Sequence, residues 1–432
     1  MTSPLGHPRS RELPMELVSL ILRELDKSSL AQCTLVCRDW LELSRPYLFE
    51  TITYRAHNLH YPSTCPDVPL PLDDVLQFLS SSPSVCRLVR HLTLSTKKQY
   101  WALLFHMEGR ANLAPCRWQT LIKLLRLLPR LRTLELANFP LESLNAAFDA
   151  RPLYDAPVIE RLEAVKFARQ CHASDRTGCF REVLHLLSIF KQIDRLAFGA
   201  FTSPTVDHAP LASRVKTQVR SLTVPPHVST LLRSIPLLPT WSHLRCLTLP
   251  VLPPEDVSYC LRLLNLARAS LRRVEFCIPR IEQRGPTIAC LQDLKLASCP
   301  RLESIAIAIP LYGVSYLLNS SIVNFGRPYF DAPAYAFIAD LISACSAPLR
   351  TIAFNLQPDL TPFESRQFVQ PDMLQTDWSA LDDILSRRVD EGLTSVQFRD
   401  ASQNISQIPD AVQRYFARTM PRLWGKGVAH FI

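Results

Sequence analysis

The sequence predicts an α/β repeat: a group of three short N-terminal helices, then an irregular solenoid of short parallel strands alternating with helices. Three observations predict it. Residues 13–52 carry apolar side chains at helical spacing in short runs separated by turn residues. Beyond them, helix-period segments alternate with strings of the form apolar-x-x-apolar-x-apolar. Strings that begin at 131, 162, 193, 219, 244 and 271 recur at intervals of 31, 31, 26, 25 and 27 residues. The composition, 47% hydrophobic and 20% charged, is that of a folded, soluble protein.

The first helix is expected to open at Pro14, whose missing N–H costs nothing at a helix start. Leu17, Leu20, Ile21 and Leu25 then recur three and four residues apart. Asp26 to Ser29 offers a turn and a choice of caps. A second helix is expected from about Leu30 through Leu35 and Val36, and a third around Trp40, Leu41 and Leu43. A module of about 40 residues cannot bury all these side chains by itself, so another surface must cover some of them.

The order of residues here resembles an F-box. Leu13-Pro14-Met15-Glu16, Leu25-Asp26 and Leu35-Val36-Cys37-Arg38-Asp39-Trp40 stand in its spacing, with Tyr47-Leu48-Phe49 before an extended Thr51-Ile52-Thr53. The segment is similar to the F-box-like opening of many fungal proteins. The resemblance implies docking on the Skp-family adaptor of an SCF-type ubiquitin ligase, and through it on a cullin. It assigns Leu13 and Pro14 to the first contact. Leu17, Ile21, Leu22, Leu30, Val36, Cys37 and Trp40 would supply apolar contacts or the packing that presents them.

A Pro-rich stretch, His60 to Leu72, leads into the repeats. Helical segments are expected at 72–79, 118–128, 181–190 and 257–267. The strings begin at Val89, Leu131, Leu162, Ile193, Val219, Leu244, Leu271, Leu291, Leu302, Leu349 and Leu393. In a chain this apolar the pattern also arises by chance, so what distinguishes these strings is their placement after helices and before turns. The intervals match the leucine-rich-repeat period, and the strings resemble the degenerate repeats of fungal F-box proteins. The Asn or Cys that follows a regular repeat's strand is mostly missing; Cys299 is the best survivor. The 42-, 47- and 44-residue intervals imply insertions or a missed, degenerate repeat, and the 11 residues from Leu291 to Leu302 are too few for a full unit. Around ten stacked strands would span about 50 Å. The expected division is 9–55 for the adaptor-binding segment, 56–72 for the connection, 73–400 for the array and 401–432 for a C-terminal cap.

Such an array holds things on its surface. Alternate positions of the strings, from His91-Thr93-Ser95 to Ser395-Gln397-Arg399, should form one open face with five Lys/Arg and three acids. The second position is Arg in six of eleven strings: Arg90, Arg132, Arg220, Arg245, Arg272 and Arg350. This row reads either as a docking edge for an acidic partner or as a solvated rim. Ala200 to Thr217 and Gln357 to Thr376 are long irregular stretches that could meet a target. The final DAVQRYFARTMPRLWGKGVAHFI reads as an amphipathic helix and an apolar end, with Leu423, Trp424, Val428 and Phe431 capping the last repeat.

Lys and Arg number 48 against 39 Asp and Glu, and all of the net charge of +9 lies beyond residue 55. Thirteen cysteines without a Cys-x-x-Cys pair, and a start without an apolar core, point to a reducing cytosolic or nuclear home. Ser304 to Gly326 is uncharged, but Pro310, Gly313 and its polar residues argue against a membrane span. Phosphate-loop, nucleophile-elbow and His-Glu-x-x-His motifs are missing. Cys171-His172 with Cys179 is too sparse for zinc, and Asp73-Asp74 and Asp382-Asp383 read as helix starts. No cofactor, metal, membrane or nucleic-acid partner is expected. The reading is a non-catalytic substrate receptor that captures a protein target on the array. A non-ligase F-box scaffold and a basic nucleic-acid-associated scaffold are the alternatives.

Overall fold

The structure, a computed structural model, describes residues 13–56, 72–96, 116–137, 139, 159–168, 179–199, 215–224, 239–249, 254–277, 296–311, 315–318, 321–324, 332–358, 378–400 and 410–432. The chain divides into two compact units, Met1–Glu142 and Ser143–Ile432.

The first unit opens with three helices, α1 (Met15–Glu24), α2 (Lys27–Cys33) and α3 (Arg38–Phe49), and passes directly into β1 (Thr51–Ala56). Then follow α4 (Leu72–Ser81), α5 (Pro83–Cys86), β2 (His91–Thr96), α6 (Trp118–Leu127) and β3 (Thr133–Ala137). The strands stack in parallel, with Ile52 beside Leu92 and Leu92 beside Leu134. Parallel neighbours need a long crossover, and the helices supply it. Leu92, Leu94, Leu134 and Leu136 are buried, as are Leu79, Trp118, Leu121 and Leu125 of the crossovers. The alternation along each strand leaves His91, Thr93, Thr133 and Glu135 half-open on the other face.

The second unit repeats the plan nine times over: β4 (Ile159–Ala168), β5 (Phe190–Phe198), β6 (Gln218–Thr223), β7 (Cys246–Leu249), β8 (Arg273–Cys277), β9 (Ser304–Leu311), β12 (Thr351–Pro358), β13 (Ser395–Asp400) and β14 (Ala429–Phe431) lie side by side in that order. Every neighbouring pair is parallel. The omitted pair, β10 (Ser315–Leu318) and β11 (Ser321–Asn324), forms a separate antiparallel hairpin. The helices are α7 (Cys179–Ser188), α8 (Pro254–Ala267), α9 (Ala332–Ala344), α10 (Ser379–Asp390), α11 (Asp410–Thr419) and α12 (Pro421–Gly425). Two 3-10 turns, Pro239–His243 and Leu296–Ser298, stand where other crossovers have α-helices. Buried Leu162, Val165, Phe167, Leu196, Leu222, Leu247, Val274, Ile305, Ile352 and Val396 form the covered face.

The structure revises several expectations. The second helix starts earlier, because Asp26 caps it by accepting from the Ser29 amide at 2.9 Å, and it stops at Cys33. Leu35 and Val36 therefore sit in the following turn. The helix expected to reach residue 190 ends at Ser188, and Phe190 already opens β5. The string at Leu291 places no strand between β8 and β9. Leu296 starts a 3-10 turn, 291–295 lie outside the described residues, and β8 pairs directly with β9, Arg273 beside Ser304. Leu271 and Leu302 are thus consecutive repeats 31 residues apart, which removes the short interval. The uncharged 304–326 stretch forms β9 and the hairpin, and no helix among the described residues is long and apolar enough to cross a membrane. Two strands beyond the strings, β1 and β14, extend the stacks at residues 51–56 and 429–431.

The C-terminal end is closed by aromatic packing. Phe398 of β13 stacks 5.3 Å from Phe354 and meets Phe416 at 4.7 Å and Phe431 at 5.2 Å. Asp382, buried in the first turn of α10, accepts from the Arg422 and Leu423 amides at 3.1 and 2.8 Å. That carboxylate satisfies two orphan donors at the start of α12.

Candidate functional site

α1 carries two apolar faces. One holds Val18 and Leu22, four residues apart, which with Leu30 of α2 form a small buried core. Leu25, Cys33, Trp40, Leu43, Tyr47 and Leu48 pack around it. Pro14 sets the entry, its carbonyl accepting from Leu17 and Val18 at 3.0 and 3.2 Å. Ser29 also donates its hydroxyl to Asp26 at 3.1 Å, and these Ser29 bonds hold the Asp26 carboxyl below its ordinary range. Lys27 donates to the Thr51 carbonyl, tying α2 to β1, and burial lowers its ammonium pKa.

The second face of α1 has no partner among the described residues. Leu17, Leu20 and Ile21 are exposed, beside Leu13 and Met15 at the N-terminal end. After α2 the chain turns, with Leu35 and Val36 donating to the Gln32 and Cys33 carbonyls at 3.0 and 3.2 Å. This turn holds Leu35 and Val36 out at 85% and 66% exposure. Cys37, at the start of α3, is exposed too. Seven of the ten exposed large apolar side chains among the described residues thus lie between residues 13 and 36. Each is worth roughly 1.5–3 kcal/mol when fully buried, so their concentration in one short segment marks a surface built to be covered.

Of the residues assigned to contact by resemblance, Leu13, Pro14, Leu17, Ile21, Val36 and Cys37 are exposed, and Trp40 is half-buried. Leu22 and Leu30 are not surface residues: at 0% and 3% exposure they are the core that holds α1 and α2 together. Met15, Leu20 and Leu35 belong to the exposed set and went unassigned. The spacing of Leu20 from Leu17 was the available signal for one of them.

The arginine row is partly neutralised. Backbone bonds stack the second positions, Arg132 N to Arg90 O at 2.7 Å in the first unit, and Arg245 N to Arg220 O at 2.7 Å and Arg272 N to Arg245 O at 2.8 Å in the second. Acids stand in the same rows: Arg90 pairs with Glu50 at 3.2 Å, Arg220 with Asp194 at 3.3 Å, and Arg272 with Glu303 at 3.2 Å. Arg245 and Arg350 are exposed and make no ion pair among the described residues. Residues 200–214 and 359–377, most of the two long stretches, lie outside the described residues, as do Cys171 and His172. No group of His, Cys, Asp and Glu able to hold a metal occurs among the described residues.

Burial raises the thiols of Cys86, Cys246, Cys299 and Cys345, so they are held in the unreactive protonated form. Among known families, the one described as F-box-like matches residues 11–55, a span that contains α1, α2 and α3 and ends within β1. No curated protein matches the chain.

Proposed function

We propose that this chain is a substrate receptor of an SCF-type ubiquitin ligase. The observation that carries the reading is the coincidence of the F-box-like match at 11–55 with the exposed apolar set at 13–36. In this reading Leu13, Pro14, Met15, Leu17, Leu20, Ile21, Leu35 and Val36 dock on a Skp-family adaptor, which is carried by a cullin. Leu22 and Leu30 hold the helices that present them. The strands and helices that follow act as a leucine-rich-repeat-like array that captures a protein target, with the last helices and β14 as its cap. The mechanism is positional: holding the target raises the effective concentration of its lysines at the ubiquitin carrier, so the chain itself needs no catalytic group.

The test is co-expression with a Skp-family adaptor, followed by size-exclusion chromatography with light scattering. A one-to-one complex is expected from the wild type and none from the Leu13→Ala/Pro14→Ala double variant. A folded wild-type chain that elutes alone overturns the reading.

A further inference from the structure

With the Leu291 string removed from the stack, the open face of the second unit changes character. On strands β4, β5, β8 and β13 it carries Lys166, Arg195, Arg273 and Arg399, against a single acid, Glu275. Glu275 is already engaged: Asn355 donates to it at 2.8 Å across the intervening β9, and Arg273, itself 41% exposed, forms an ion pair with it at 3.7 Å.

The register gives this charge a spacing. Arg195, Ser221, Cys246 and Arg273 are consecutive partners on β5, β6, β7 and β8. Three strand steps of about 4.8 Å put the two arginine positions about 14 Å apart. Between them lie only a hydroxyl and a thiol, and the next row along the same strands is Ala197, Thr223, Thr248 and the already engaged Glu275. Burial raises the Cys246 thiol, so the Arg195–Arg273 row itself adds no negative charge. Arg195 is exposed and makes no ion pair among the described residues. An extended peptide rises about 3.4 Å per residue and returns to the same side every second one. Residues four apart on such a peptide are therefore about 14 Å apart and face the same way.

We infer that this face binds an extended acidic segment of the captured protein, laid across β5 to β8, with two carboxylates four residues apart on Arg195 and Arg273. The small side chains between let the peptide backbone come close, and the guanidiniums receive each carboxylate in a fork. Neither the Arg195–Arg273 row nor the adjacent one holds a Phe, Tyr or Trp on β5 to β8, so there is no platform on which nucleic-acid bases would stack. The inference rests on the receptor reading and names the chemistry of what is received.

The experiment pans a display library of random dodecapeptides on the full chain, then measures the recovered peptides by fluorescence anisotropy. Asp/Glu pairs four residues apart are expected to be enriched. Arg195→Glu and Arg273→Glu are each expected to weaken those peptides about tenfold while the chain still co-elutes with the adaptor. Selection without acidic enrichment, or unchanged binding by both variants, overturns the inference. Equal binding of a single-stranded oligonucleotide at the same two arginines overturns it as well. The two proposals fail separately. A chain that binds the adaptor but shows no acidic preference sinks only this one, and acidic preference without adaptor binding sinks only the receptor reading.

Discussion

Ile21 and Leu22 are adjacent and of similar size, yet one is 49% exposed and the other 0%. Their substitutions should therefore separate docking from folding. Leu22→Ala leaves a cavity beside Val18 and Leu30 and is expected to cost about 3 kcal/mol, seen as a lower melting temperature. Leu17→Asp/Ile21→Asp is expected to leave melting unchanged and abolish co-elution with the adaptor. At the other end, Asp382→Ala strands the Arg422 and Leu423 amides and is expected to cost about 2 kcal/mol in urea denaturation. Resemblance alone put Leu22 and Ile21 in one class, because a family pattern records that both are apolar and not which side of the helix meets the core. The Asp382 carboxylate was legible as a helix-start residue. Its bonds to a helix some forty residues later were not, since nothing local announces so distant a contact.

At the level of strands and helices, the acid on the rim of β5 sets a pH dependence. Burial alone would raise the Asp194 carboxyl, but hydrogen bonds from Arg161 and Gln192 and the charges of Arg161 and Arg220 outweigh it and hold it below its ordinary 3.8. A carboxylate lowered on folding contributes its full stability above the unfolded value and loses it as pH falls through the folded one. Wild type should therefore melt above Asp194→Asn near neutral pH, and the two should converge as pH falls through the lowered folded-state value, below the ordinary 3.8. Most repeat strands were legible because two patterns coincide, a period-two apolar string and a preceding helical one. The Leu291 string had the right letters, yet Leu296 opens a 3-10 turn before β9, and only pairing distinguishes such a string from a strand. β1 and β14 lay outside the counted strings, and only their pairing with β2 and β13 makes them members of the sheet.

Over the whole molecule, charge and apolar surface are segregated. Residues 1–55 carry equal numbers of each sign, and the net charge of +9 falls entirely on the remainder. Salt screens exposed ion pairs but leaves apolar burial intact. Raising ionic strength from about 0.05 to 0.5 M is accordingly expected to weaken acidic-peptide binding severalfold and to leave the adaptor complex unaffected, as titrations of both would read. The pairing of β1 with β2 has one more consequence. Six residues of the segment that ends the helical group run in register with the first strand after it, Thr51 beside His91 through Ala56 beside Thr96. Main-chain bonds, and not the Pro-rich stretch between them, fix the angle at which the helices meet the strands. That joint is a weld and not a hinge. The reach of this part of the molecule is therefore set by the register of β1 on β2, not by the count of residues between 56 and 72.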